Sequence, residues 1–85
     1  MRHARALDLD RIDDLLAQIR LRTSLNEKKR GIFYRASRAY LHFHEDRSAL
    51  FADLRKPDGE FARFDVTGAE GQAELLARLD EQLRA

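Results

Sequence analysis

The stretch from Gly31 to Val66 constrains the fold most, because apolar and polar residues alternate through most of it. A period of two residues is typical of β-strands that bury one face. Three segments show this period, with apolar sets Ala39, Leu41, Phe43, then Leu50, Ala52, Leu54, then Ala62, Phe64, Val66. The sequence therefore predicts an antiparallel meander with one buried face.

The turns between these segments set the register of the strands. We predict a turn at residues 46–47, which places Phe43 opposite Leu50. We predict a second turn at residues 57–59, where proline suits the second turn position and the glycine adopts a positive φ. With these two turns, all three apolar sets lie on the same face of the sheet. A slip of one residue would reverse the faces.

Two helices are predicted to flank the sheet. The first begins at Asp8 as N-cap and ends between residues 21 and 23. The second begins with a capping box of Thr67 and Glu70 and ends near Leu83. The apolar stripe of the first helix contains Leu9, Ile12, Leu15, Leu16 and Ile19. That of the second contains Ala69, Ala73, Leu76, Leu79 and Leu83, with Leu75 at its margin.

These elements predict an α+β fold with the order α-β-β-β-β-α. Residues 32–35 supply the fourth strand, and residues 23–30 form a polar connection before it. The economical arrangement is a two-layer sandwich with both helices on the apolar face of the meander. Residues 1–85 are expected to form one small domain, in which residues 1–7 are a flexible arm.

Composition excludes several classes of function. The chain has no cysteine, so it has no disulfide, no thiolate nucleophile and no cysteine zinc site. It has no apolar run that could span a bilayer and no signal-peptide core, so we expect a cytoplasmic protein without membrane contact. Its four glycines are scattered and form no phosphate loop, and no cofactor is predicted. Abundant arginine and alanine suggest a bacterial source.

The sheet face opposite the helices, which we call the outer face, is the first candidate site. Alternation places Tyr40, His42, His44, Phe51, Asp53, Arg55, Phe61, Arg63 and Asp65 there. The three aromatic residues Tyr40, Phe51 and Phe61 are more than a solvated face needs, and exposed apolar surface often marks an interface. The leading hypothesis is therefore a binding or accessory protein that contacts another protein, most simply a second copy in a homodimer. The alternative is that these aromatic residues only favour strand formation.

A metal site is the second candidate. His42 and His44 lie two residues apart on one strand, so both imidazoles point to the same face and could share an ion. A third ligand would have to come across strands from Asp53 or Asp65. This arrangement suggests a metal-dependent enzyme as one alternative. His42 lies diagonal to Asp53 and could act as a base, but no serine lies near it, and no catalytic residue is assigned.

Nucleic-acid binding is the third candidate. From Arg20 to Arg38 the chain has seven basic residues and one acid, although its net charge is only +1. Lys28, Lys29, Arg30, Arg35 and Arg38, near outward aromatic residues, could contact a single-stranded backbone. The near-neutral net charge and the absence of a known RNA-binding signature favour a solvated basic loop instead.

Overall fold

The computed structural model describes residues 1–84 as one antiparallel sheet with its helices on one face. The strands are β1 (Arg2–His3), β2 (Leu25–Lys29), β3 (Ile32–Arg35), β4 (Arg38–Asp46), β5 (Ala49–Arg55) and β6 (Phe61–Asp65). The helices are α1 (Ala6–Asp10), α2 (Asp13–Arg20) and α3 (Ala69–Arg84). The sheet order is β2-β3-β4-β5-β6, with β1 paired to β4. The predicted α+β class and meander are confirmed, and no helix in residues 1–84 is long and apolar enough to cross a bilayer.

The core is a single cluster between the sheet and the three helices. It contains Leu9, Ile12, Leu15, Leu16, Ile19, Phe33, Tyr40, Leu41, Phe43, Leu50, Ala52, Leu54, Val66, Leu75 and Leu79. The predicted stripe of the first helical region is therefore buried as a whole. In α3, Leu75 and Leu79 are fully buried, whereas Leu76 packs at the edge of the cluster. Leu75, which was predicted at the margin of the stripe, therefore lies in its centre, and Leu76 lies at the margin.

The β5–β6 hairpin has the predicted register. Leu54 pairs with Ala62, and the intervening turn holds Gly59 at a φ of 93°. The Gly59 N–H donates to the carbonyl of Lys56 over 2.9 Å, which closes the turn. Proline, aspartate and glycine in this order determine the turn geometry, and the turn determines the pairing.

The β4–β5 hairpin differs from the prediction by two residues. Its turn consists of Arg47 and Ser48, which have φ values of 51° and 71°. Two positive φ values define the short turn whose twist matches that of paired strands, even though neither residue is glycine or asparagine. The pairing therefore sets Leu41 opposite Leu54. Because the shift is an even number of residues, it does not by itself exchange the two faces of the hairpin.

Tyr40 was predicted on the outer face, and this prediction is wrong. Phe33 pairs with Leu41 and Tyr34 pairs with Ala39, so β4 contains one extra residue at this point. Such a bulge interrupts the alternation of faces. Tyr40 and Leu41 are consequently both buried, and the Tyr40 side chain belongs to the core with only 5% of its surface exposed.

Two short strands lie in segments that were predicted to be irregular. Residues 25–29 form the edge strand β2 instead of a polar connection, with Leu25 and Glu27 half-buried and their neighbours exposed. Arg2 and His3 form β1 instead of the beginning of a flexible arm. β1 pairs with the part of β4 that β3 does not reach, and Ala4 adds a hydrogen bond to the carbonyl of Phe43 over 3.1 Å.

The first helical region is broken into α1 and α2 at residues 11–12. The prediction that Asp8 is the N-cap of this region is wrong, because Asp8 lies within the first turn of α1. Its carboxylate accepts the backbone N–H of Arg5 at 2.9 Å and pairs with the guanidinium of Arg2 at 3.0 Å. Asp8 therefore ties the start of the helix to β1.

The predicted capping box of α3 does not form. The Thr67 hydroxyl oxygen instead accepts the backbone N–H of Leu50 over 2.9 Å and so extends the sheet. The first turn of α3 lies against the end of β6, and a Cβ on Gly71 would overlap the carbonyl oxygen of Asp65. The glycine at this position allows the helix to start so close to the strand.

Candidate metal centre

Three imidazoles meet on the outer face of the sheet. His42 and His44 come from β4, as predicted, and His3 comes from β1, where it is paired directly with His44. The His3 and His44 rings are stacked with centroids 4.8 Å apart, and the His42 and His44 centroids lie 5.0 Å apart. These are the only histidines in the chain, so the fold gathers all of them in one cluster, which we call the histidine cluster.

The spacing of the ring nitrogens is close to that of ligands around one ion. Nδ1 of His42 lies 3.1 Å from Nε2 of His44, and one nitrogen from each of the three rings lies within 4.8 Å of the others. Zinc–nitrogen bonds of about 2.0–2.1 Å in a tetrahedral site place ligand nitrogens roughly 3.3 Å apart. The His42–His44 pair is close to this spacing, and the exposed His3 ring has a nitrogen within 4.8 Å of the other two.

Asp53 lies beside the histidine cluster and carries a firmly held charge. Its Oδ2 atom lies 3.2 Å from Nε2 of His44. Arg63 donates to both carboxylate oxygens, over 2.8 Å to Oδ1 and 2.9 Å to Oδ2. The Asp53 side chain is 9% exposed, so the two partners compensate a charge that water scarcely reaches. The two-residue shift of the β4–β5 hairpin is what places His42 opposite Asp53.

Burial keeps the imidazoles of His42 and His44 neutral at neutral pH. Burial lowers the pKa of His42 and of His44, and it outweighs the attraction of Asp53 for a proton on either ring. Burial alone would raise the pKa of Asp53, but the Arg63 guanidinium more than reverses this, so the pKa of Asp53 is lowered. Neutral imidazole and ionised carboxylate are the forms that bind metal ions.

The predicted interface residues are separated by the fold. Phe61 is 39% exposed and packs edge-on against His42, with ring centroids 5.1 Å apart. Phe51 is half-buried between His44 and Asp65, its direct partners on the neighbouring strands. Tyr40 lies in the core, where its hydroxyl oxygen accepts a hydrogen bond from Gln82 over 2.7 Å. The outer face therefore presents Phe61, partly Phe51 and the histidine cluster.

The predicted nucleic-acid residues do not form one surface. Arg30 lies in the β2–β3 turn and pairs with Asp10 at 2.8 Å and Asp13 at 3.3 Å. Lys28 and Lys29 are exposed on the edge strand β2. Arg35 and Arg38 lie at the other end of β3, where they form the last pair before the β3–β4 turn. The basic stretch is thus divided between the two ends of the β2–β3 hairpin. At the β2–β3 turn, the charge of Arg30 is neutralised by its acidic partners.

His3 is the site residue that sequence reasoning missed. The sequence indicated a histidine pair on β4 and named Asp53 as a cross-strand neighbour, but nothing near residues 1–7 marked a strand. A two-residue strand has no period to detect, and its pairing with β4 is a long-range contact. The chain matches no known family model, no curated protein and no solved structure.

Proposed function

We propose that this protein binds a divalent transition-metal ion, with Zn²⁺ the best fit, through His3, His42 and His44. The observation that carries this proposal is the spacing of three imidazoles on one face of the sheet. Imidazole nitrogen is a preferred ligand of Zn²⁺, and three histidines leave a fourth coordination position.

Asp53 is the carboxylate in contact with the histidine cluster, with Oδ2 3.2 Å from Nε2 of His44. Nε2 of His44 cannot both share a proton with Asp53 and bind an ion, so metal binding would free Oδ2 of Asp53 to face the metal. Arg63 would continue to hold Oδ1, from which it lies 2.8 Å away. Outer partners of this kind fix the orientation of metal ligands and contribute to affinity.

We propose binding and not catalysis. The histidine cluster lies on an open sheet face, with His3 exposed and His42 and His44 half-buried, and catalytic sites usually enclose their substrate in a cleft. A metal-dependent enzyme would need an enclosed substrate site beside these histidines, whereas in residues 1–84 the cluster lies on the open sheet face. A cytoplasmic location remains a prediction from the sequence.

A homodimer through the outer face is the second candidate, favoured by the exposure of Phe61 beside His42. A second copy packed there would cover Phe61 and could reach an ion at the histidine cluster. Sedimentation velocity with and without Zn²⁺ tests this proposal. Phe61→Glu should abolish any dimer, whereas Leu21→Glu, which changes another exposed apolar residue, should not. A monomer under both conditions contradicts the homodimer but leaves metal binding unaffected.

The metal proposal is tested by titrating Zn²⁺ into protein without a histidine tag. Calorimetry measures the binding, and NMR monitors the imidazole groups. Every imidazole signal comes from the histidine cluster, because the chain has no other histidine. We expect one ion per chain and a loss of affinity of more than about 100-fold in His42→Ala and in His44→Ala. Mg²⁺, which prefers oxygen ligands, should leave the imidazole signals unchanged.

Two carboxylates on the outer face provide a matched control. Asp53→Asn should weaken Zn²⁺ binding, whereas Asp65→Asn, on the neighbouring strand and outside the histidine cluster, should not. Thermal melting of each metal-free variant shows whether it is folded. Unchanged Zn²⁺ affinity in folded His42→Ala and His44→Ala would show that the proposed site is wrong.

A further inference from the structure

A cavity of about 580 Å³ lies where β4 begins, β5 ends and α3 reaches its last turns. Its lining includes four cationic side chains, Arg35, Arg38, Arg55 and Lys56, and one acidic side chain, Glu81. The strands supply the cations, and the helix supplies the acid. The cavity is thus strongly positive on its sheet side, although the chain as a whole is nearly neutral.

Arg55 is fixed in this cavity by neutral partners. Its Nε donates to the carbonyl of Ala39 over 2.7 Å, and its Nη1 donates to the carbonyl of Gly59 over 2.9 Å. Its guanidinium also lies over the ring of Phe61, 4.5 Å from the centroid. Carbonyls and an aromatic ring orient a guanidinium without neutralising it, so the charge of Arg55 stays available to an anion.

The neighbouring arginines, Arg35 and Arg38, are similarly free of acidic partners. In the described part of the chain, no carboxylate lies within ion-pairing distance of the guanidinium of Arg35, Arg38 or Arg55. Arg35 lies over the ring of the buried Tyr40, 5.5 Å from its centroid, and Arg38 is exposed at the cavity mouth. Lys56 has only a long contact of 3.5 Å with Asp58.

This concentration of unpaired arginine contrasts with the rest of the basic stretch. Arg20 pairs with Glu27 at 2.6 Å, and Arg22 pairs with Asp80 at 2.8 Å. In this stretch, the arginines outside the cavity are therefore paired with acids, whereas the arginines that line the cavity are not. Several cations around one concave site favour a compact ligand of more than one negative charge.

We propose that this cavity binds the phosphate group of a small molecule about the size of a nucleoside monophosphate. Guanidinium groups match phosphate oxygens in geometry and in charge, and two or three of them can share one phosphate. The volume of about 580 Å³ falls within the range of small-ligand sites and exceeds what phosphate alone requires. Glu81 opposes the anion from the helix side and so limits its affinity.

The test is an NMR titration of the whole chain with inorganic phosphate, adenosine monophosphate and adenosine at millimolar concentration. We expect phosphate and the nucleotide to shift the arginine Nε–H signals of Arg35, Arg38 and Arg55, and adenosine to leave them unchanged. Stronger binding of the nucleotide than of phosphate identifies an organic phosphate as the ligand class, and equal binding identifies free phosphate. No shift with either anion, or equal shifts with adenosine, overturns the proposal.

Three exposed residues make the test specific, since their substitution should leave the fold intact. Arg38→Gln should weaken phosphate binding about tenfold, which is the effect of one charge-assisted hydrogen bond. Glu81→Gln should strengthen binding, because it removes the opposing charge. Lys29→Gln removes an exposed cation on β2, outside the cavity, and should change nothing. Equal weakening by Lys29→Gln and Arg38→Gln would mean nonspecific charge attraction and would overturn the proposal.

Discussion

His3 lies directly opposite His44 across the β1–β4 pair, with the two ring centroids 4.8 Å apart. The backbone pairing of a two-residue strand therefore decides whether the cluster contains two imidazoles or three. Because His44 also contacts His42 and Asp53, it is the residue through which β1 is connected to the rest of the outer face.

His3→Ala should separate metal affinity from folding. The side chain is exposed and outside the core, so the metal-free melting temperature should change little, while Zn²⁺ affinity should fall by more than about tenfold. Calorimetric titration measures the affinity. Arg5→Gln, an exposed substitution at the start of α1, is the matched control and should bind Zn²⁺ like the wild type. Equal affinities of the two variants would remove His3 from the site.

The stability of the metal-free protein should decrease as the pH falls below about 6.5. Burial lowers the pKa of His42 and of His44 from the ordinary value of 6.5, so below this pH the unfolded chain binds more protons than the folded chain. The free energy of unfolding is then larger above this pH and smaller below it. The ionised Asp53, whose pKa is lowered from 3.8, extends the loss to more acidic solutions.

Urea unfolding at about pH 8 and about pH 5 brackets the histidine part of this dependence. In the double variant His42→Asn, His44→Asn, the difference between the unfolding free energies at the two pH values should become smaller. Equal stability of the wild type at both pH values would contradict the depressed pKa values of the two rings.

Arg63→Gln should destabilise the fold by about 1–2 kcal/mol at neutral pH, a range that allows for the half-exposed guanidinium. It leaves the buried Asp53 charge with only His44 as its partner. Arg20→Gln removes the arginine partner of Glu27, whose side chain is 21% exposed against 9% for Asp53, and should cost less than about 1 kcal/mol. Urea unfolding of both variants gives the comparison. An equal loss would mean that the burial of Asp53 adds nothing to the pair.

Gly71→Ala should destabilise the protein by about 1–3 kcal/mol or more, because its Cβ would overlap the carbonyl oxygen of Asp65. Gly68→Ala is the natural control, since a Cβ there meets nothing within 4 Å. Thermal melting of the two variants should therefore diverge. Similar melting temperatures would show that the start of α3 can move away from β6 at little cost.

The predictable part of the fold is the part that local chemistry determines. Pro57, Asp58 and Gly59 specify one turn, and the β5–β6 register follows from it. At Arg47 and Ser48 the positive φ values are imposed on ordinary residues by the twist of the hairpin, so no local signal revealed the turn. The shift of the β4–β5 register did not exchange the two faces, because it is a shift of two residues.

The unpredictable part depends on contacts between distant segments. The bulge at Tyr40 buries a residue whose alternation points outward, because its hydroxyl meets Gln82 of α3 and its ring joins the core. The edge strand β2 has too few apolar residues to show a period. Two of the three histidines of the candidate metal centre, His42 and His44, were therefore predictable from the sequence, and His3 was not.

The placement of β1 has a consequence for the kinetics of ion release. A strand of two residues is held by few backbone hydrogen bonds and can open locally while the core remains closed. His3 leaves with β1, so an ion at the cluster would lose one of its three imidazole ligands and should be released faster while β1 is open. Amide hydrogen exchange at Arg2, His3 and Ala4 would report this opening, and bound metal should slow it. Opening of β1 and release of the ion would thus be coupled, because a bound ion holds His3, and with it β1, against the sheet.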